Sequence, residues 1–77
     1  MAHDARARFE TVARAHAGEL YRYAYCLTRD RHQAEDVLQE AMLRGWRAFD
    51  GLREPEAARP WLYSIVSNEF LRMVERN

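Results

Sequence analysis

The stretch AEDVLQEAMLRGWRAF, from Ala34 to Phe49, decides the fold because on a helix it separates into an apolar stripe and a polar face. Residues spaced three and four apart lie along one side of an α-helix. The stripe predicted to be buried consists of Ala34, Val37, Leu38, Ala41, Met42, Trp46 and Phe49. The other side carries Asp36, Gln39, Glu40, Leu43 and Arg47. An apolar Leu43 among charges and amides makes this face suitable for a partner protein.

The sequence before this stretch is also helical in pattern. Apolar residues at helical spacing predict a first helix that begins near Asp4, and we expect Gly18 to divide or bend it. Asp30 can accept hydrogen bonds from free amides at the start of the second helix, which we expect to end at Gly51. Gly45 lies inside that helix at a cost of about 1 kcal/mol relative to Ala, which indicates close approach of another helix.

A loop and a third helix are predicted after the second. The segment Gly51 to Arg59 contains Pro55 and several charges, so we expect a loop there, and Pro60 fits the first turn of a helix. The buried stripe of that helix is predicted to be Leu62, Ile65, Val66, Phe70 and Met73. The residues expected near or on its outer face are Trp61, Ser64, Ser67, Asn68 and Arg72. The predicted fold is all-α, a small three- to four-helix bundle forming one domain over residues 1–77.

Composition narrows the class of protein. A chain of 77 residues with 48% hydrophobic residues, 3 Gly and 2 Pro supports one packed helical domain. Cys26 is a single cysteine at a position where a small buried apolar residue would also fit, and the start of the chain has no apolar run. We therefore expect a soluble cytoplasmic protein. All 12 basic residues are Arg, balanced by 12 acids, and Arg favours forked contacts to phosphate or carboxylate.

Catalytic and metal sites have little support in the sequence. No nucleophile and base pair, phosphate-binding Gly loop or dinucleotide motif is present. His32 and Asp36 are four residues apart and could share a metal ion on a helix face, but no second His or Cys follows at ligand spacing. We expect a binding module that uses no cofactor, not an enzyme.

Three linked blocks resemble a known family. They are LYRYAYCLTRDRHQAED from Leu20 to Asp36, DVLQEAMLRGWRAF within the second helix, and PWLYSIVSN from Pro60 to Asn68. In this order and spacing they resemble region two of bacterial sigma factors, in the extracytoplasmic-function group of the sigma-seventy family. The resemblance covers nearly the whole chain. It implies a small helical bundle that docks on the clamp helices of the RNA polymerase beta-prime subunit and helps to open the promoter.

The resemblance also implies roles for individual residues. Asp36, Gln39 and Glu40 match motif positions that contact the clamp helices, and Leu43 and Arg47 lie on the same predicted face. The third helix and the preceding loop match the part that captures the non-template strand of the minus-ten element, where a base is flipped out of the stack. The residues expected to contact that strand are Arg53, Arg59, Trp61, Ser64, Ser67, Asn68 and Arg72.

Alternative roles remain for several of these residues. Without the resemblance, the polar face of the second helix would be a solvated surface on which Glu40 pairs with Arg44. Trp61 could pack under the second helix, and Asn68 could hold a loop carbonyl instead of a base. Tyr63 is interpreted as a packing residue.

The chain departs from the family pattern at three places. It ends in FLRMVERN instead of a basic run, because Glu69 and Glu75 offset Arg72 and Arg76. Leu62 stands where housekeeping members have the second of two tryptophans that melt DNA. A complete member would continue to a second helix-turn-helix domain, so we expect an isolated or truncated domain. The alternative function is a decoy that binds an anti-sigma factor or polymerase without reading DNA; an anti-sigma partner fits both functions.

Overall fold

A computed structural model describes residues 2–49 and 57–76, with side chains from residue 7 onward. These residues form three α-helices, α1 (Ala2–Thr28), α2 (Arg31–Ala48) and α3 (Ala58–Arg76), each packed against the other two. The all-α bundle predicted from periodicity is confirmed. None of the described helices is long and apolar enough to cross a membrane.

The direction of each helix follows from its contacts. Glu19 and Tyr23 of α1 contact Arg59 and Ser67 of α3 respectively, so these two helices run in the same direction. Phe49, just after α2, packs edge-on against Phe9 near the start of α1, with ring centroids 5.3 Å apart. The topology is therefore up, down, up, with α2 antiparallel to its two neighbours.

The junction between α1 and α2 is defined by two caps. α1 is continuous through Gly18, so the predicted division there is wrong, and the helix ends where Arg29 adopts a positive φ of 57°. The amide of Arg29 donates to the carbonyl of Tyr25 at 2.7 Å, which is the hydrogen bond of a left-handed helix cap. Asp30 then begins α2 as predicted, since its carboxylate accepts from the amide of Gln33 at 3.0 Å.

The predicted boundaries after α2 need correction. α2 ends at Ala48 with Phe49 as its cap, three residues short of the predicted stop at Gly51. α3 already includes Arg59, which was predicted to lie in the loop, because Ala58 is buried and starts the helix. Pro60 lies in the first turn of α3 as predicted. The rest of the predicted loop, with Pro55 and Arg53, falls outside the described residues.

The core is made of apolar residues from all three helices. Its buried members are Phe9, Leu20, Ala24, Ala34, Val37, Ala41, Phe49, Leu62 and Val66. Partly buried side chains, including those of Leu38, Met42, Ile65, Phe70 and Met73, pack around it. The apolar stripes predicted for α2 and α3 are thus confirmed, except at Trp46.

Trp46 and Cys26 are more exposed than their patterns predicted. The side chain of Trp46 is 41% exposed, although it follows the spacing of the α2 stripe. The neighbouring helices approach α2 over the small residues Ala34, Ala41 and Gly45, so the buried stripe is narrow and the large indole lies at its edge. Cys26 is exposed, on the side of α1 away from the core.

At Gly45 side chains of both neighbouring helices come close to the α2 backbone, as the position of this glycine inside α2 predicted. A Cβ atom at this position would lie 3.2 Å from the Phe9 ring and 3.6 Å from Cδ1 of Ile65. The first distance is tighter than ordinary van der Waals contact, so the absence of a side chain lets α1 and α3 meet over α2.

The cap at Arg29 yields a stability prediction. Replacing Arg29 by Gly should raise the free energy of unfolding by about 0.5–1 kcal/mol, because Gly adopts a positive φ without the steric cost of a Cβ atom. Chemical denaturation of the two proteins measures the difference. Arg29→Ala is the control: it removes the same side chain but keeps Cβ, so it should bring no gain. Equal stabilisation by both substitutions would assign the effect to loss of the Arg charge.

Candidate functional site

The outer side of α2 carries the residues predicted to bind a protein partner. Asp36, Gln39, Glu40, Leu43 and Arg47 are all exposed on this helix, and Leu43 keeps 43% of its surface in water. Two carboxylates beside an exposed leucine can accept forked hydrogen bonds from Arg side chains while an apolar group packs between them. We call these five residues the α2 face.

A shallow depression borders the α2 face. It has a volume of about 410 Å³, is open to solvent and is lined by Glu35, Leu38, Gln39, Met42 and Leu43. The predicted interface residues Gln39 and Leu43 therefore help to line an apolar groove, whose other lining residues also belong to α2. Such a groove can receive an aliphatic or aromatic side chain from an opposing helix.

On α3, three of the residues predicted to contact DNA form an exposed row. Ser64, Asn68 and Arg72 are spaced four residues apart, which places them along one side of the helix. The hydroxyl of Ser64 donates to the carbonyl of Trp61 at 2.7 Å. We call these three the α3 row; it presents a hydroxyl, an amide and a guanidinium to solvent.

Ser67 and Trp61, predicted to act on the same strand, contact other helices instead of standing in this row. Ser67 shares a hydrogen bond of 2.6 Å with the hydroxyl of Tyr23 on α1, and its own hydroxyl oxygen lies 3.0 Å from the Tyr63 carbonyl. The partly buried ring of Trp61 packs against Phe49, with centroids 6.2 Å apart. Tyr63 packs against Tyr23 at 4.8 Å, which confirms its interpretation as a packing residue.

Arg59 is fixed at the start of α3 by groups on two helices. Its Nε donates to Oε1 of Glu19 at 2.8 Å and its Nη2 to Oε2 at 3.5 Å, while its guanidinium carbon lies 5.1 Å from the centroid of the Tyr63 ring. The hydrogen bond from Arg59 lowers the pKa of Glu19, with a smaller contribution from His16 at 3.1 Å, and the same carboxylate raises the pKa of Arg59. Guanidinium has five N–H donors, so others remain for a phosphate.

The sequence of this bundle matches a known family model, sigma-70 region 2, over residues 12–77. The chain belongs to the sigma-70 region 2 family. It is 34% identical over 74 residues to the ECF RNA polymerase sigma factor SigG of Mycobacterium tuberculosis, covering 96% of this chain and 20% of the relative.

Other relatives of this region 2 domain carry similar names. The ECF RNA polymerase sigma factor SigE of Mycolicibacterium smegmatis is 38% identical over 68 residues, covering 88% of this chain and 26% of the relative. SigM of Bacillus subtilis, also named an ECF RNA polymerase sigma factor, is 26% identical over 68 residues, covering 88% of this chain and 41% of the relative. The chain thus spans between 20% and 41% of the length of these proteins. No solved structure gives a significant match.

The region 2 domain also contains a buried ion pair that periodicity alone did not reveal. Glu69 on α3 is only 2% exposed, and its Oε1 contacts Nε of Arg44 on α2. Arg44 therefore reaches across to α3, whereas the alternative interpretation of the sequence paired it with Glu40 on its own helix. A signal was present: Glu69 follows Leu62 by seven residues and Val66 by three, which is a core position on the α3 stripe.

The described part of the chain adds no third ligand to the metal hypothesis. His32 and Asp36 are both exposed at the start of α2. Within residues 2–49 and 57–76, no group of three or more His, Cys, Asp or Glu side chains is gathered closely enough to hold a metal ion. Of the residues predicted to contact DNA, Arg53 lies outside the part of the chain that the structure describes.

The ion pair between Glu19 and Arg59 predicts a titration behaviour. Replacing Arg59 by Gln should raise the pKa of Glu19, because the hydrogen bond that stabilises the carboxylate is lost. Since the folded-state pKa lies below the ordinary value of 4.5, the contribution of Glu19 to stability is present above that pH and is lost as the pH falls through the folded pKa. Carbon-13 NMR of the Glu19 carboxyl follows the titration directly.

Arg31→Gln is the matched control for this titration. Arg31 is an exposed Arg that pairs with Glu35, at 3.8 Å on its own helix, so its removal should leave the Glu19 titration unchanged. A Glu19 titration that is the same in wild type and Arg59→Gln would show that the two side chains do not pair in solution.

Proposed function

We propose that this region 2 domain is a transcription initiation factor module that joins RNA polymerase core to the non-template strand of the promoter minus-ten element. The observation that carries the proposal is the separation of two exposed polar surfaces, the α2 face and the α3 row, on different helices of a family member. A module with one surface for each partner can hold polymerase and an opened strand at the same time.

The α2 face is suited to the clamp helices of the beta-prime subunit. Asp36 and Glu40 would accept hydrogen bonds from Arg side chains of those helices, and Gln39 would add a neutral amide. The groove beside Leu43 would take an apolar side chain, which supplies the desolvated centre that tight interfaces need. Arg47 at the end of the face would pair with an acid of the partner.

The α3 row and its neighbours are suited to a single strand. Extruding a base from a duplex costs a few kcal/mol, and stacking on an aromatic side chain returns about 1–3 kcal/mol per base. The exposed part of the Trp61 side chain would supply that stacking. Asn68 and Ser64 would form hydrogen bonds with a base edge. The phosphates would be contacted by Arg53, Arg59 and Arg72. Ser67 would act through its hydrogen bond with Tyr23, which holds this part of α3 in place.

The proposed mechanism is capture of an opened state. The domain catalyses no bond change; it binds the melted strand better than the closed duplex and so shifts the equilibrium between them. A formal net charge of zero gives little nonspecific attraction to duplex DNA, since neutralised phosphates supply most of that affinity. We therefore assign strand capture to the complex with polymerase core, in the bacterial cytoplasm.

The decoy alternative loses some of its support. It rested on Glu69 and Glu75, which offset the basic residues at the end of α3. Glu69 is buried against Arg44, so of these two acids only Glu75 lies on the exposed surface of the helix. An anti-sigma factor that covers the α2 face would block polymerase and remains a proposed partner.

Charge reversal on the α2 face tests polymerase docking. Glu40→Arg should weaken binding to bacterial RNA polymerase core by at least about tenfold, because like charges then meet across the interface. Fluorescence titration of labelled domain with core enzyme measures the affinity. Glu75→Arg makes the same charge change at the exposed end of α3 and should bind core as wild type does. Absence of wild-type binding would contradict the docking proposal.

Truncation in the α3 row tests strand capture. Single strands selected from a random-sequence DNA pool by the core-bound wild-type domain provide the probe. Asn68→Ala should weaken binding of the selected strand about tenfold, the effect of losing one or two hydrogen bonds, and should leave core binding unchanged. Glu40→Arg serves as the reciprocal control, since it should act at the core-binding step alone. If the two substitutions weakened the same step, the assignment of one surface to each partner would be wrong.

A further inference from the structure

The carboxylate of Glu69 is a buried charge at the contact between α2 and α3. It is 2% exposed, its Oε1 contacts Nε of Arg44 on α2, and the same oxygen lies 3.8 Å from Nε of Arg72 on α3. The three side chains form what we call the Arg44–Glu69–Arg72 cluster. The two Arg side chains are about half exposed, so the cluster runs from the bundle interior to the surface.

Stability alone does not account for such a cluster. Apolar residues of similar volume often stabilise a protein as well as a buried ion pair does, because desolvation offsets the Coulombic attraction. An ion pair differs from apolar packing in needing one particular partner: a shift of α3 along α2 would separate the buried carboxylate of Glu69 from Arg44, and a buried charge without a partner is costly. A cluster of this kind is suited to fixing a register.

The position of the cluster connects the two proposed binding surfaces. Arg44 directly follows Leu43 of the α2 face in the sequence, and Glu69 directly follows Asn68 of the α3 row. We propose that Glu69 is a positioning residue that fixes the α3 row relative to the α2 face through Arg44, and sets the place of Arg72 at the same time. This inference rests on the proposed function and adds a residue that contacts neither polymerase nor DNA.

A purely electrostatic role and a positioning role of Glu69 predict opposite changes in DNA-strand affinity when Glu69 is replaced by Gln. Glu69→Gln removes a negative charge beside Arg72, so by charge alone it should strengthen binding to any DNA strand. If Glu69 positions the α3 row, the same substitution should weaken capture of the selected single strand by the core-bound domain, by about tenfold, with core binding changed by less than about twofold. Fluorescence anisotropy at fixed ionic strength distinguishes the two results.

Glu75→Gln is the matched control for charge. It makes the same substitution on an exposed Glu of the same helix, and it should leave strand capture equal or slightly stronger. Equal behaviour of Glu69→Gln and Glu75→Gln would overturn the positioning role, since only net charge would then matter.

A double-mutant cycle tests whether Glu69 acts through Arg44. Arg44→Gln should weaken strand capture as Glu69→Gln does, and the double variant should be no weaker than either single variant, because both remove one interaction. Effects that multiply would overturn the coupling. Arg44→Lys retains the charge but lacks the guanidinium whose Nε contacts Glu69, and it should have an intermediate effect. Circular dichroism checks that the variants fold. If Glu69→Gln does not fold, Arg44→Lys still tests the role of the ion pair in strand capture.

A distance measurement tests the register without polymerase or DNA. Spin labels are placed at His32 on α2 and Glu75 on α3, both exposed, in a Cys26→Ser background. Pulsed electron paramagnetic resonance should give a narrow distance distribution that broadens or shifts in Glu69→Gln and Arg44→Lys. An unchanged distribution would overturn the register proposal. A wild-type domain that binds neither core nor strand would overturn the proposed function instead, and the distances would still decide the role of Glu69.

Discussion

The contact of Phe9 and Ile65 over Gly45 is the constraint on which the rest of the bundle depends. Two side chains from different helices occupy the space that a Cβ atom would fill, with the nearest Phe9 carbons at 3.2 Å from that position. Ala34 and Ala41, which are buried along the same helix, are small residues as well. The large indole of Trp46, which follows the spacing of this stripe, is 41% exposed.

α1 acts as the support on which α3 is positioned. Two contacts four residues apart on α1, Glu19 with Arg59 and Tyr23 with Ser67, hold two positions of α3 that are eight residues apart, in a parallel arrangement. On the opposite side, Arg44 and Glu69 link α3 to α2. Polar contacts from two directions therefore determine where α3 stands, while apolar packing supplies most of the burial. Directional contacts define a single arrangement in a way that apolar packing alone does not.

Periodicity and cap chemistry predicted the helices well because both are local properties of the chain. Asp30 begins α2 and Pro60 lies in the first turn of α3, as their backbone chemistry requires. Periodicity failed at Glu69 and Trp46, because it treats charge as a mark of exposure and an aromatic ring as a mark of burial. Whether a carboxylate is buried depends on an Arg from another helix, and that partner is 25 residues earlier in the chain. The exposed residues of the α2 face and α3 row were foreseeable; the pairing of Arg59 with Glu19 required the tertiary structure.

The two tryptophans stand beside different surfaces, and this gives the domain two built-in optical reporters. Trp46 is 41% exposed on α2, near the groove, whereas Trp61 is partly buried at the start of α3 against Phe49. Their emission maxima should differ, because an indole in water emits at longer wavelength than one packed against another ring. A change in the blue part of the spectrum would therefore come from the neighbourhood of α3, and a change in the red part from the side of α2, without any dye attached to the protein.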